Sequence, residues 1–351
     1  KEVQEKAELQ LPPPPPSLPI YGPSRDRRPY FEVVGAWTKA GIASCIHIKS
    51  QTDDVLLDCG VNEASTFSAK VVLISHGHID HAGCCINHAR GKALNSSPSV
   101  YYIPESIKEP LLQAKAAFEM MDDREIPMNL VVISPGQSID ISQYVRVQAF
   151  ETHHRVPSQG YAIFKKWKGT LLPEYSNLPP SEIGKLKKSG VNVIGESFET
   201  VEVVYTGDTI FEALLSREIH YIFQASLFFI ELTYIDGERE KALKWSHVHI
   251  DDIVDYSDVF KHVGSLIFVH LSQKYSFSRA VEVIRSRIPP PLLSKCQVSL
   301  RSFGASENLT TLSNSKWSLA HDRHPGWGWS DSRSKIPRNS YPRGGRTGRG
   351  G

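Results

Sequence analysis

The segment Ser75-His76-Gly77-His78-Ile79-Asp80-His81 sets four side chains able to hold a metal within six positions. It follows the apolar run Val71-Val72-Leu73-Ile74 directly, so these side chains belong to a loop at a strand's C-terminal end. Imidazole and carboxylate are the ligands that borderline divalent metals prefer, and a catalytic centre needs several of them converging with one position left open. So short a run serves two adjacent ions only if it is tightly turned, which Gly77 permits. Three later places also end an apolar run on a ligand-type residue. His153 and His154 follow residues 145–150, Asp208 follows Val203-Val204-Tyr205-Thr206-Gly207, and His270 follows Leu266-Ile267-Phe268-Val269. Taken singly, Asp208 reads equally well as a helix N-cap ahead of Thr209, and His270 as a buried core histidine.

What must position these residues is a chain of 351 residues, long enough to bury a full core. Its composition, 40% hydrophobic and 22% charged, suits a mainly globular protein, and no run approaches the ~20 apolar residues of a membrane span, so no membrane association is expected. The formal net charge of +2 does not announce a nucleic-acid binder, so local clusters must be judged separately. Five irregularly spaced cysteines, Cys45, Cys59, Cys84, Cys85 and Cys296, read as buried free thiols in a reducing compartment. The chain begins with Lys1 and shows neither a secretory signal nor a good transit peptide. An intracellular location is expected, in cytoplasm or nucleus, or in an organelle if a targeting segment precedes Lys1.

Composition divides the chain in three. Residues 1–29, with the proline run 12–16, read as an unpacked leader, and 301–351, rich in Ser, Arg and Gly, as a disordered tail. The stretch 30–300 reads as one α/β domain without internal repeats. Strands are expected at 55–57, 71–74, 100–103, 130–133, 145–150, 201–205, 228–230 and 266–269, and helices at 104–121, 208–217, 250–263 and 278–287.

The pattern His-x-His-x-Asp-His resembles the signature of the metallo-β-lactamase superfamily. That resemblance implies an αββα sandwich with the site along one edge of its sheets. It also implies that one ion takes His76, His78 and His154, that the other takes Asp80, His81 and His270, and that Asp208 bridges them. The ions would be zinc, with manganese or magnesium as alternatives. Four further features resemble ribonuclease Z, the tRNA 3′-end endonuclease. His154-Arg-Val-Pro-Ser-Gln-Gly160-Tyr161 is similar to that family's third motif, which selects His154 over His153. Glu182-Ile-Gly-Lys185-Leu-Lys187-Lys188 looks like its protruding tRNA-binding arm, here about 168–195. Ile230-Glu231-Leu232-Thr233 and Ser246-His247-Val-His249 resemble its paired catalytic loops, and His270-Leu-Ser-Gln-Lys274-Tyr275 its last motif. The resemblance spans about 32–292, and the size and arm look like the short eukaryotic form, plant-like or algal.

The resemblance implies removal of the 3′ trailer from precursor tRNA, leaving a 3′-hydroxyl. A pair of cations would neutralise the phosphoryl oxygens and lower the pKa of the attacking water. Asp80 would hold an ion and orient that water, and His247 would protonate the leaving oxygen while Glu231 fixes its tautomer, with His249 a competing candidate for that task. Six cations from Lys165 to Lys188 (Lys165, Lys166, Lys168, Lys185, Lys187 and Lys188), together with Lys274, would contact the RNA backbone, and the Arg343–Gly351 tail could add a loose hold. A homodimer is expected from the same resemblance. Departures stand out as well: Val61-Asn62-Glu63 does not continue the first motif, Asp58-Cys59-Gly60, in the common way, and Lys274 stands where Arg is common. The rivals are a thioesterase of the glyoxalase II type, which leaves the basic arm without a purpose, and a non-catalytic RNA-binding subunit, which would have shed ligands. An mRNA-end nuclease would need a large insert before His270, and only the 61 residues 209–269 separate it from Asp208.

Overall fold

The computed structural model describes residues 28–95, 98–237, 239–299 and 309–313. Most of the leader 1–29 and most of the tail 301–351, its Arg343–Gly351 end included, lie outside the described residues. The chain builds two facing sheets. The first has strands β1 (Glu32–Lys39), β2 (Ala43–Lys49), β3 (Asp54–Leu57), β4 (Val71–Leu73), β5 (Val100–Ile103) and β6 (Asn129–Val132), in that spatial order. Between them run helices α1 (Ile79–Ala82), α2 (Cys85–Asn95) and α3 (Glu105–Asp122). The second sheet contains β7 (Ser138–Asp140), β8 (Val145–Thr152), β9 (Ser158–Trp167), β10 (Phe198–Tyr205), β11 (Leu227–Glu231), β12 (Ser265–Val269), β13 (Cys296–Ser299) and β14 (Leu309–Thr311), again neighbours in chain order. Helix α4 (Pro180–Lys188) separates β9 from β10, α5 (Arg239–Lys244) and α6 (Ile250–Asp255) separate β11 from β12, and α7 (Phe277–Arg287) and α8 (Pro290–Leu293) precede β13.

Side-chain alternation explains the layering. In β3 and β4, Val55, Leu57, Val71 and Leu73 face Val147, Ile163, Val203 and Phe229 of the second sheet, whereas Leu56 and Val72 face Cys85, Ile86 and Ala89 around α2. On the far side of the second sheet, Phe228, Ile230, Leu266 and Phe268 pack against Ile253 of α6 and Ile284 of α7. The central strands of both sheets are thus buried on both faces, which is why the parallel ones among them read as unbroken apolar runs. The result is the αββα sandwich of the metallo-β-lactamase fold.

Several expected elements differ. The helix expected over 208–217 is absent: 208–210 has no regular structure, and short 3-10 helices cover Phe211–Leu215 and Arg217–Gln224. Asp208 is drawn toward the imidazoles of the site and caps nothing. The helix expected over 250–263 stops at Asp255 and resumes as a 3-10 turn, Ser257–His262, because Val259 and Phe260 are both pulled into the core. The tail expected from 301 onward contains a strand: Leu309–Thr311 pairs with β13 and Leu312 is buried. All five cysteines are free thiols. No helix among the described residues is long and apolar enough to cross a membrane.

Candidate metal centre

The strands of both sheets end at one edge, and there the scattered residues meet. Gly60, in the turn after β3, allows this: a Cβ there would lie 1.8 Å from the backbone oxygen of Asp80. Gly207, at φ +58°, carries the chain from β10 past Ser75 into Asp208. Three non-glycine residues at the same edge also adopt left-handed backbone: Asp58 (φ 59°), Ser246 (φ 58°) and His270 (φ 58°). Such conformations persist where the surroundings over-determine them, which is the case around an assembled site.

Seven side chains converge in two groups. In the first, His78 Nδ1 lies 3.1 Å from His76 Nε2 and 3.3 Å from His154 Nε2, and Asp208 Oδ2 is 3.8 Å from His76 Nε2 and 3.9 Å from His154 Nε2. In the second, His270 Nε2 lies 3.3 Å from both His81 Nε2 and Asp80 Oδ2. Asp208 reaches this group too, with Oδ1 3.4 Å from His81 Nε2 and Oδ2 3.4 Å from His270 Nε2. It is therefore the one residue shared between the groups. His153, the rival to His154, is exposed and lies nearest Glu151.

The outer faces of the imidazoles set which nitrogen looks inward. His81 Nδ1 donates to Asp58 Oδ2 at 2.6 Å, and His154 Nδ1 to the Ser246 carbonyl at 2.9 Å. His76 Nδ1 donates to Ser75 Oγ, which passes its own proton to Asp58; His270 Nδ1 donates to Thr233 Oγ1, which does the same to Glu231. With Nδ1 of each ring turned to its outer acceptor, the four Nε2 atoms face the interior of the cluster, where they are placed to hold a cation. Asp208 Oδ1 is buried and accepts no hydrogen bond, although His81 Nε2 is near. A buried carboxylate oxygen left so is costly without a positive partner. Burial alone would lower the pKa of His81, yet Asp208 and Asp58, one at each ring nitrogen, hold it well above the usual histidine value. The donor set thus fits two divalent cations.

Asp58 is the residue whose task was not legible in the sequence. It accepts from the Ser75 backbone N–H, Ser75 Oγ, His81 Nδ1 and the Tyr205 hydroxyl, pinning the histidine loop to both sheets. Its motif, Asp58-Cys59-Gly60 after an apolar run, was the available signal. Asp80 is held by the Gly41 N–H at 2.8 Å.

Beside the cluster, His247 Nδ1 lies 2.9 Å from Glu231 Oε1, and Glu231 is itself fixed by the Thr209 N–H and the Thr233 hydroxyl. Burial would depress the pKa of His247, but the Glu231 carboxylate raises it to about 9. His247 Nδ1 also lies 4.0 Å from Asp208, so distance alone would allow it a place among the ligands. Its hydrogen bond to Glu231 makes Nδ1 a donor, which a metal ligand cannot be. His249, the other candidate for this task, is buried and caps α6, with Nε2 on the Asp236 carbonyl.

Of the expected RNA contacts, Lys185, Lys187 and Lys188 lie in the last turn of α4, exposed and without an acidic partner among the described residues. The excursion between β9 and β10 is closed at its base by a bridge between Leu171 and Ile194. Lys165 and Lys166 do not belong to it. Both lie in β9, where Lys165 is buried under the rings of Tyr30 and Tyr144 and Lys166 pairs with Asp140 at 2.6 Å. Lys274 is half-exposed at the mouth of the site, 3.4 Å from Asp236.

Comparison with known proteins places this geometry. No family model matches the chain. It is 30% identical over 241 residues to tRNase Z TRZ1 of Arabidopsis thaliana, a match covering 68% of this chain and 85% of that protein. The chain belongs to the ribonuclease Z family. A second tRNase Z relative, the chloroplastic TRZ2 of the same plant, is 28% identical over 236 residues, 66% of this chain and 65% of that protein. Among solved structures, the metallo-beta-lactamase fold protein YhfI of Bacillus subtilis matches with a TM-score of 0.50 at 14% identity, covering 74% of this chain and 93% of that one. That likeness concerns the fold. Both of these tRNase Z relatives are plant proteins, in keeping with the plant-like resemblance, and the family consists of metal-dependent hydrolases.

Proposed function

We propose that this chain is an endoribonuclease that removes the 3′ trailer of precursor tRNA by hydrolysing one phosphodiester bond, leaving a 3′-hydroxyl on the tRNA. The observation that carries the reading is the Glu231–His247 pair set against a seven-residue donor cluster. A small thioester would need the cluster but has no poorly departing alkoxide for that pair to protonate. His76, His78 and His154 would hold one cation and Asp80, His81 and His270 the other, with Asp208 shared; zinc suits so imidazole-rich a set, manganese or magnesium being the alternatives. Cations bound there supply positive charge for the phosphate oxygens and acidify a water.

The protein's own groups do the rest. Asp80, fixed by the Gly41 N–H, orients the attacking water from the wall of the site. Glu231 holds the Nδ1 proton of His247, which leaves Nε2 to carry the proton that the tRNA's 3′-oxygen takes as it departs, the phosphate staying on the trailer's 5′ end. Lys185, Lys187 and Lys188 bind the folded RNA by its backbone at a distance from the chemistry, and Lys274 binds near it. The expected homodimer, with one subunit's arm serving the other's site, belongs to the same proposal, and sedimentation velocity tests it. Five free thiols support an intracellular home for the enzyme.

The direct test incubates the protein with a 3′-extended precursor tRNA and zinc or manganese. Release of the trailer at the discriminator base, abolished by a chelator and restored by metal, is expected. Turnover of a thioester with no cut in that RNA would instead favour the glyoxalase-type reading. Replacing Lys185, Lys187 and Lys188 together by Ala should weaken precursor binding and lower its salt dependence by roughly two to three in log–log slope. Replacing residues 172–192 with a short glycine linker across the Leu171–Ile194 bridge should do the same, yet spare hydrolysis of bis(p-nitrophenyl) phosphate. Equal loss of both activities would refute a separate docking arm.

A further inference from the structure

One arrangement at the mouth of the site has no task in the chemistry described. Trp245 follows α5 and is 38% exposed, so burial does not explain its indole. The guanidinium of Arg155, the residue after His154, lies over it with Cζ 4.7 Å from the ring centroid, and Lys244 Nζ lies 5.8 Å from the same centroid. Arg155 has no acidic partner among the described residues. An exposed cation–π pair contributes only about 0.5–1 kcal/mol to a fold.

Trp245 is nonetheless held firmly and close to the reacting groups. Its backbone N–H bonds to the carbonyls of Lys241 and Ala242, both at 3.1 Å, which fixes it to the end of α5. The next residue, Ser246, takes left-handed backbone and gives its carbonyl to His154 Nδ1. His247 comes after that, its ring 5.0 Å from the ring of His154. A shift of Trp245 would therefore disturb both a member of the donor cluster and the proton donor.

An aromatic plane paired with a guanidinium is the chemistry that stacks a nucleobase while attracting the phosphate beside it. We infer that Trp245 and Arg155 form a stacking platform for the base of the last tRNA nucleotide, the one whose 3′-oxygen leaves. The side follows from His247, which donates to that oxygen and is two residues from Trp245; the base of the same nucleotide lies one sugar away. The inference rests on the endoribonuclease reading above, and its occupant is a nucleobase of any identity, since every base offers a π-face.

The test uses single-turnover cleavage of two precursor tRNAs, one unmodified and one with an abasic site at the nucleotide just 5′ of the cut. For the wild-type protein the abasic precursor should be cut roughly ten- to a hundredfold more slowly. Trp245→Ala should slow the normal precursor by a similar factor but leave the abasic one little further affected, because the two changes remove one contact. Trp245→Phe should restore most of the rate. An equal defect of Trp245→Ala on both RNAs would show a structural role and overturn the platform. So would wild-type indifference to the missing base. Failure of the wild-type protein to cut either RNA would overturn the endoribonuclease reading along with it.

Discussion

Asp208→Asn is expected to lower cleavage of precursor tRNA by roughly a thousandfold or more, with metal content falling below two ions per chain. Asp208 is the one side chain within reach of both donor groups, at 3.8 and 3.9 Å from His76 and His154 and 3.4 Å from His81 and His270. Its loss removes negative charge from both subsites at once, and several kcal/mol of charge stabilisation depend on the cations it would hold. The variant should still fold. Asparagine matches aspartate in size, and His76, His81, His154 and His270 keep their outer partners Ser75, Asp58, the Ser246 carbonyl and Thr233. The discriminating measurement is thermal unfolding with and without zinc. The wild-type protein should gain stability with zinc and the variant much less, because only a folded site binds the ion. A variant that kept two ions and near-normal cleavage would show that Asp208 is no bridge.

His247→Ala should slow cleavage by about 10²–10⁴-fold, the usual range for a lost general acid, while bound metal stays unchanged. The geometry admits two readings of His247, since its Nδ1 is 2.9 Å from Glu231 and 4.0 Å from Asp208. Metal content separates them: a fall would make His247 a ligand. A second measurement isolates the proton. A precursor whose scissile 3′-oxygen is replaced by sulfur releases a thiolate that needs no acid, so the defect of His247→Ala should shrink sharply on that RNA. An undiminished defect would mean that His247 does something other than protonate the leaving group. Glu231→Gln should share the defect in milder form, because the amide still orients the ring but no longer stabilises its positive charge.

The local chemistry was legible in the residues. His76, His78, Asp80 and His81 announced themselves by spacing; Asp208, His270 and the pair His153 and His154 close apolar runs, where a buried sheet hands its chain to the surface, and the family resemblance marked them as partners of that cluster. The same runs pointed to an α/β domain, and its αββα layering followed from the family resemblance. Strands β1, β2, β7, β9, β13 and β14 were not expected; in β2 only the two end residues fall short of full burial, so it carries no polar alternation. The helix expected at 208–217 failed because local capping propensity cannot register a pull from imidazoles more than 50 positions away in sequence.

Other decisions belong to tertiary structure. Residue spacing by itself left His153 beside His154 and His247 beside His249, and the motif resemblance favoured His154 and His247; burial and partners separate the members of each pair physically, through the Ser246 carbonyl behind His154 and the Glu231 carboxylate behind His247. Lys165 reads as one more arm cation in sequence, yet the sheet turns it under Tyr30 and Tyr144. Asp58 gathers Ser75, His81 and Tyr205, which are 17, 23 and 147 positions away. Sequence specifies which groups exist and the short-range order in which strands deliver them. Which nitrogen faces inward, which carboxylate is shared and which cation is free depend on contacts between segments far apart in the chain, and only the packed sandwich brings those together.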